Sequence, residues 1–181
     1  RVQGGVPIEA ETRPIWTNAV DTYKPRVAHE YGRTLRPGEQ EFSGNKVTLW
    51  RWRDDFQNDF AARMDWCVAS YDEANHPPVP ALAHPAEFTV RSGEWFRLDA
   101  GGTTDPDGDS LVYLWTQYLE AGSAALEIDV GIGPENVYHV SRMAPEVSKT
   151  ETLHFILEVT DRGSPPLTRY KRVIVTVEPG R

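Results

Sequence analysis

Three aspartates stand at alternate positions in the segment DPDGD, at Asp105, Asp107 and Asp109. Carboxylates grouped in this way are the ligands that hard cations such as Ca²⁺ prefer. The segment does not fit an EF-hand, because positions 6 and 12 counted from Asp105 are Ser110 and Thr116 instead of glycine and glutamate. Acid and base catalysis is also disfavoured, since it needs two carboxyls in different environments beside a cleft. We therefore predict an interstrand turn with calcium as its candidate ligand and no catalytic residue.

A fourth aspartate, Asp161, lies in the segment VTDRGSPPL, between the last two predicted strands. In an immunoglobulin-type sandwich this loop and the DPDGD loop lie at the same end of the molecule. We therefore predict that Asp161 joins the other three carboxylates, which would repel one another without a cation. The alternative stays open that Arg162 and water neutralise the cluster.

Seven short segments after residue 79 alternate between apolar and polar residues, as half-buried strands do. This number over about a hundred residues predicts an immunoglobulin-like antiparallel β-sandwich at 79–181. The strands are expected at EFTV, EWFRLDA, SLVYLWTQY, ALEIDV, NVYHVS, TLHFILEVTD and LTRYKRVIVTVEP. Trp115 is expected in the core, at the centre of its strand.

Residues 1–78 have a different character, and the proline-rich segment ANHPPVPALAHPAEF separates them from the sandwich. They read mostly as loops, except for a helix predicted near 54–68. Its apolar residues recur at helical spacing and are expected to be buried: Phe56, Phe60, Met64 and Cys67. The fold class is therefore mainly β, preceded by an irregular, partly helical segment.

Exposed aromatic side chains are candidates for binding sugars, because their flat faces stack on sugar rings. The alternation in EWFRLDA places Trp95 on the face away from the core. Tyr118 and Tyr138 are further candidates for the surface. A lone exposed tryptophan is also normal on a protein surface, so the aromatics alone do not assign a function.

Composition excludes several classes of function. The net charge of −8 disfavours a nucleic-acid partner, which needs a cationic face. No apolar run is long enough for a membrane span. The single cysteine, Cys67, excludes an internal disulfide framework. We expect either a processed chain or a piece of a longer one.

The chain resembles the carboxy-terminal part of a family of bacterial cellulose-binding proteins. The resemblance is carried by ETRPIWTNAVD, by TLWRWRDDFQNDFAARMDWCV running into ANHPPV, and by LDAGGTTDPDGDSLVYLW with VTDRGSPPLTRYKRVIVTV. In that family a nucleoside-hydrolase-like domain precedes an immunoglobulin-like domain of the polycystic-kidney-disease or cadherin type. The aspartate-rich motif with which nucleoside hydrolases hold calcium and ribose has no match in this sequence, so no hydrolase residue can be assigned.

The resemblance implies a domain organisation and a function. Residues 1–78 would be the tail of the nucleoside-hydrolase-like domain, and 79–181 the sandwich. The expected function is non-catalytic binding of cellulose or a related plant polysaccharide by a secreted or periplasmic protein. The alternatives are a structural spacer or protein-interaction sandwich attached to an upstream nucleoside-hydrolase-like domain, and a fragment of such an enzyme.

Overall fold

The computed structural model describes residues 2–3, 6–7, 21–23, 26–28, 35–37, 40–124, 128 and 138–180. The chain divides into two compact units, one of residues 1–27 and 37–53, the other of residues 28–36 and 54–181. The elements are, in order, β1 (Val2–Gln3), β2 (Val6–Pro7), β3 (Asp21–Tyr23), β4 (Arg26–Ala28), β5 (Leu35–Pro37), β6 (Phe42–Gly44), α1 (Val47–Trp50), α2 (Arg53–Asp65), β7 (Glu87–Arg91), β8 (Trp95–Asp99), β9 (Val112–Gln117), β10 (His139–Met143), β11 (Glu151–Thr160) and β12 (Thr168–Glu178).

The second unit contains a sandwich-like arrangement of two open sheets. One sheet has the strand order β7-β12-β11-β9, and the other pairs β10 with β8. All neighbours are antiparallel except β7 and β12, which run parallel. The predicted fold class is confirmed, and six of the seven predicted strands are formed. The seventh, ALEIDV at residues 125–130, lies outside the described residues except for Ile128.

The core lies between these two sheets. Phe96 on β8 meets Phe155 on β11, with their ring centroids 5.8 Å apart. Trp115 is 4% exposed, opposite Leu157 in the register of β9 and β11, as expected for the central tryptophan. Further buried side chains of β8, β11 and β12 belong to the same apolar cluster: Leu98, Leu153, Val159, Val173, Val175 and Val177.

Helix α2 is formed where a helix was expected, but the prediction of its buried face was wrong. Phe56, Phe60 and Met64 are 50%, 63% and 50% exposed, and Cys67 is exposed as well. The buried residue of the helix is instead Ala62. The physical reason is that Asp55 and Asp59 bind residues of β12. The side of α2 that carries these aspartates therefore faces the sheet, and the apolar side faces outward.

The first unit combines short strand pairs with one turn of helix. β1 pairs with β2, and β3 pairs with β6. In α1, Val47 is fully buried, and the ring of Trp50 makes an edge contact with that of Phe42, with centroids 6.1 Å apart. Segments expected to be loops therefore contain short strands. Within the described part of the chain, no helix is long and apolar enough to cross a membrane.

Candidate functional site

The DPDGD turn is organised by the first of its aspartates. Asp105 Oδ1 accepts hydrogen bonds from the backbone N–H groups of Asp107 and Asp109, both at 3.0 Å. Gly108 follows with a φ of 79°, a conformation that suits glycine. Asp105 Oδ2 is buried and accepts no hydrogen bond from the residues that the structure describes. A buried carboxylate oxygen without a partner is costly, so this atom is suited to a cation.

The carboxylates of the three aspartates in the turn lie close together. One carboxylate oxygen from each of Asp105, Asp107 and Asp109 lies within 4.8 Å of the others. Calcium binds oxygen ligands at about 2.3–2.6 Å, so any two ligands of one ion lie within about 5 Å of each other. The spacing and the all-oxygen chemistry of this group therefore fit Ca²⁺.

Asp161 is not one of these three mutually close carboxylates, but it is near enough to Asp105 for their charges to interact, and it is buried, at 2% exposure. Its Oδ1 accepts hydrogen bonds from the backbone N–H groups of Leu167 at 2.9 Å and Gly163 at 3.0 Å. Burial raises the pKa of Asp161, the charge of nearby Asp105 adds to the rise, and the hydrogen bonds that it accepts oppose it. We call Asp105, Asp107, Asp109 and Asp161 together the aspartate pole.

Asn75 and His76, at the start of the proline-rich segment, form hydrogen bonds with the aspartate pole. The sequence did not identify them as part of this site. The Asn75 side-chain amide donates to Asp161 Oδ2 at 3.2 Å and to the carbonyl of Pro165 at 2.8 Å. The backbone N–H of His76 donates to Asp107 Oδ2 at 2.6 Å, and its Nδ1 lies 3.0 Å from Asp107 Oδ1. No local signal marks these partners, because they are 86 and 31 residues away along the chain.

The same segment connects the pole to the end of helix α2. The ring of His76 stacks on Tyr71, with centroids 3.8 Å apart, and on Trp66, at 5.9 Å. The indole N–H of Trp66 donates to the carbonyl of Asn75 at 2.8 Å. The helix, the proline-rich segment and the aspartate pole are thus joined by direct contacts.

A second candidate site is the outer face of the sheet formed by β8 and β10. Trp95, Arg97 and Asp99 alternate on β8 with the buried Phe96 and Leu98. The register places Met143 opposite Trp95, Ser141 opposite Arg97, and His139 opposite Asp99. We call these six outward residues the Trp95 face. Trp95 is 71% exposed at one end of it, beside Met143 at 55%.

The other two aromatic candidates are not on the Trp95 face. Tyr138 is 44% exposed, but it immediately precedes β10 at the end opposite Trp95, and its ring packs against Tyr113 at 6.3 Å. Tyr118 follows β9 in the other sheet, where its backbone N–H donates to His154. Trp95, Tyr118 and Tyr138 therefore do not form one aromatic platform.

Helix α2 is attached to β12 through two aspartates. Asp55 accepts hydrogen bonds from Thr168 Oγ1, at 3.0 Å, and from the Tyr170 hydroxyl. Asp59 bridges Arg63, at 2.7 Å, and Arg169, at 2.8 Å. Burial alone would raise the pKa of Asp59, but the hydrogen bonds and charges of the two arginines hold it below its usual value.

Exposed apolar residues line the outer side of this helix. Phe56, Phe60 and Met64 follow one another at four-residue spacing, so they lie on one side of α2. We call these three residues the α2 stripe. A contiguous exposed apolar stripe is typical of a surface that meets another body.

Comparison with known proteins gives one family whose model matches part of the chain. Residues 95–177 match the family described as cellulose-binding protein Sde0182, C-terminal domain. The resemblance predicted from the sequence is therefore confirmed. No curated protein matches the chain.

Two solved structures are similar to parts of the chain. One is a nucleoside hydrolase-related hypothetical protein from Saccharophagus degradans that is associated with carbohydrate metabolism; it is 36% identical, with a TM-score of 0.64. The match covers 71% of this chain and 32% of that one, so this chain spans about a third of its length. The other is a sialyltransferase from Photobacterium damsela, which is 16% identical. The match covers 51% of this chain and 17% of that one, and its TM-score of 0.31 is too low to indicate a shared fold.

Proposed function

We propose that this chain, whose residues 95–177 match the C-terminal domain of the cellulose-binding protein Sde0182 family, is a non-catalytic module that binds cellulose or a related polysaccharide. The observation that carries the proposal is Trp95, which is 71% exposed on the outer face of β8, within the segment that matches a family named for cellulose binding. Because an insoluble plant polymer does not enter a cell, the proposed site of action is outside it, after secretion or in the periplasm.

Binding at the Trp95 face would rest on one stacking group and its polar neighbours. The C–H groups on the flat side of a sugar ring pack well on an indole, which combines a large apolar surface with a fixed shape. Arg97 and Ser141 lie next along the two strands and carry hydrogen-bonding groups for the hydroxyls. Tyr118 and Tyr138, the other proposed sugar contacts, would act only at separate positions.

A depletion assay on insoluble, swollen amorphous cellulose tests the proposal. We expect the protein to leave solution with the polymer and Trp95→Ala to lose at least about tenfold in affinity, equivalent to about 1.4 kcal/mol. Phe60→Ala is the matched control, because it removes an aromatic side chain of similar exposure from helix α2. Retention of the protein in solution, or equal binding by the Trp95 variant, would contradict the proposed function.

We also propose that the aspartate pole binds Ca²⁺ as a structural cofactor. The buried Asp105 Oδ2 without a hydrogen bond and the convergence of three carboxylates support this assignment. Asp105, Asp107 and Asp109 would be ligands, with Asp161 as the fourth through Oδ2, which accepts a hydrogen bond from the Asn75 amide. The ion would supply positive charge that offsets the mutual repulsion of these groups.

Calcium should then raise the melting temperature of the protein. A ligand at about 100 times its Kd stabilises the folded state by about 2.7 kcal/mol, which is about 5–10 °C for a chain of this length. Differential scanning calorimetry with calcium, with magnesium and with EDTA measures the shift. Asp109→Ala should remove it, whereas Asp72→Ala, at an exposed acid outside the pole, should keep it. An unchanged melting curve at millimolar calcium would argue against the site.

A second candidate function is docking to a protein body, and the α2 stripe favours it. We propose that residues 1–78 are the tail of a nucleoside-hydrolase-like domain. The remaining part of that domain would cover Phe56, Phe60 and Met64. In this case the sandwich at 79–181 would act as a spacer, or as the binding module of a larger protein. The part of the Saccharophagus neighbour outside its match to this chain is the natural partner to test.

Isothermal titration of this chain with that remaining part of the neighbour tests the docking candidate. We expect binding that Phe60→Ser weakens at least tenfold, while Trp95→Ala leaves it unchanged. Loss of binding in both variants, or in neither, would point away from the α2 stripe.

A further inference from the structure

The Trp95 face offers a polysaccharide a single aromatic platform. Among the described residues of this face, Trp95 is the one tryptophan, tyrosine or phenylalanine. A crystalline cellulose surface is a plane of many sugar rings, and holding it requires several coplanar aromatic side chains at matching intervals. One indole covers about one ring, so the Trp95 face does not match a crystal plane.

Apart from Met143 beside Trp95, the rest of the face is polar or charged. Arg97 has half of its side chain exposed, and its Nε donates to Asp99 Oδ2 at 2.9 Å. Ser141 lies opposite Arg97 on β10 and is exposed. Against a crystal plane these groups would lose water without gaining partners, because the chains of the crystal bond their hydroxyls to one another. A separate, hydrated chain presents free hydroxyls to them.

The length and rigidity of the face also suit one extended chain. From Trp95 to Asp99 the strand advances by about 14 Å, at about 3.4 Å per residue. The strand is fixed before any ligand binds, because Ala144 N–H donates to the Glu94 carbonyl at 2.7 Å and Gly93 N–H donates to that of Ala144 at 3.0 Å. Little ordering is therefore needed on binding.

We propose that the Trp95 face binds a single hydrated polysaccharide chain laid along β8, with one sugar stacked on Trp95 and the next ones bonded by Arg97 and Ser141, and that it does not bind crystalline cellulose surfaces. This inference rests on the proposed function and specifies the physical form of its ligand. Amorphous cellulose and soluble cello-oligosaccharides are the ligands that present such chains.

Parallel binding assays on three forms of the polymer test this assignment. We expect at least tenfold tighter binding to swollen amorphous cellulose than to microcrystalline cellulose at equal accessible area, and release from the amorphous form by added cello-oligosaccharides. Trp95→Ala should abolish binding to the soluble and amorphous forms. Arg97→Ala should weaken it severalfold, and Phe60→Ala should leave it unchanged.

The outcomes separate this inference from the function on which it rests. Equal or tighter binding to the crystalline form overturns the single-chain assignment and leaves cellulose binding standing. Binding to soluble chains that survives Trp95→Ala overturns the location of the site. Absence of binding to all three forms overturns both. Circular dichroism of the variants verifies their folding, which we expect to be intact because Trp95 and Arg97 are exposed.

Discussion

Phe155→Ala is expected to lower the free energy of unfolding by about 3–5 kcal/mol. Phe155 is fully buried on β11, the strand that pairs with both β9 and β12. Its ring meets that of Phe96 on the opposite sheet, so its removal leaves a cavity between the two layers of the sandwich. Urea unfolding followed by tryptophan fluorescence measures the change.

A neighbouring position provides the matched control. Ile156 is the next residue on the same strand, but it points to the other face and is only half-buried. Ile156→Val removes one methylene group there and should cost about 1 kcal/mol or less. A loss below about 1 kcal/mol for Phe155→Ala would contradict the assignment of the core to the space between these sheets.

Asp161→Ala is the second large effect, with an expected loss of about 3 kcal/mol of unfolding free energy. The carboxylate accepts hydrogen bonds from two backbone N–H groups and the Asn75 amide, and its removal leaves these donors without partners at a buried site. Asp161→Asn keeps the shape and one acceptor oxygen, so its loss should be smaller. Chemical unfolding in the presence of EDTA measures the hydrogen bonds separately from any effect of calcium.

Gly163 provides an independent means of disrupting the same contacts. A Cβ at Gly163 would overlap the side-chain amide of Asn75, so Gly163→Ala should displace Asn75 from Asp161 while the carboxylate stays in place. We expect it to destabilise the protein less than Asp161→Ala. If Asp161→Ala were neutral, the hydrogen bonds at this pole would contribute nothing to stability.

The strands of the sandwich were predictable from the sequence because each one alternates between core and surface. The segment EFTV corresponds to β7, which ends one residue later, and TLHFILEVTD corresponds to β11, which begins and ends one residue earlier. Alternation does not indicate which strands pair. The parallel pairing of β7 with β12 was therefore not predictable. Strand pairing depends on residues far apart in the chain.

Helix α2 shows where the hydrophobic pattern misleads. The spacing of Phe56, Phe60 and Met64 predicted a helix, and the helix exists. The pattern also predicted that these residues are buried, and this was wrong, because Asp55 and Asp59 bind the start of β12 instead. Those bonds join residues more than a hundred positions apart, at distances that no local pattern shows.

The candidate sites also combine features that were predictable from the sequence with features that depend on the folded chain. The grouping of Asp105, Asp107 and Asp109 was predictable, since one turn holds all three. Asn75 and His76 could not be assigned to the pole, because only the folded chain brings the proline-rich segment beside it. Exposure of Trp95 followed from alternation within its strand, whereas its separation from the other aromatic candidates depends on the arrangement of two sheets.

The parallel pairing of β7 with β12 has a mechanical consequence. Five residues from Glu87 to Arg91 lie beside Ile174 to Glu178, with both strands running the same way. A force that pulls the start of β7 and the end of β12 apart loads these backbone hydrogen bonds along the strands, so that they must break together and not one after another. The sheet therefore resists a force in this direction by shear of the five paired residues.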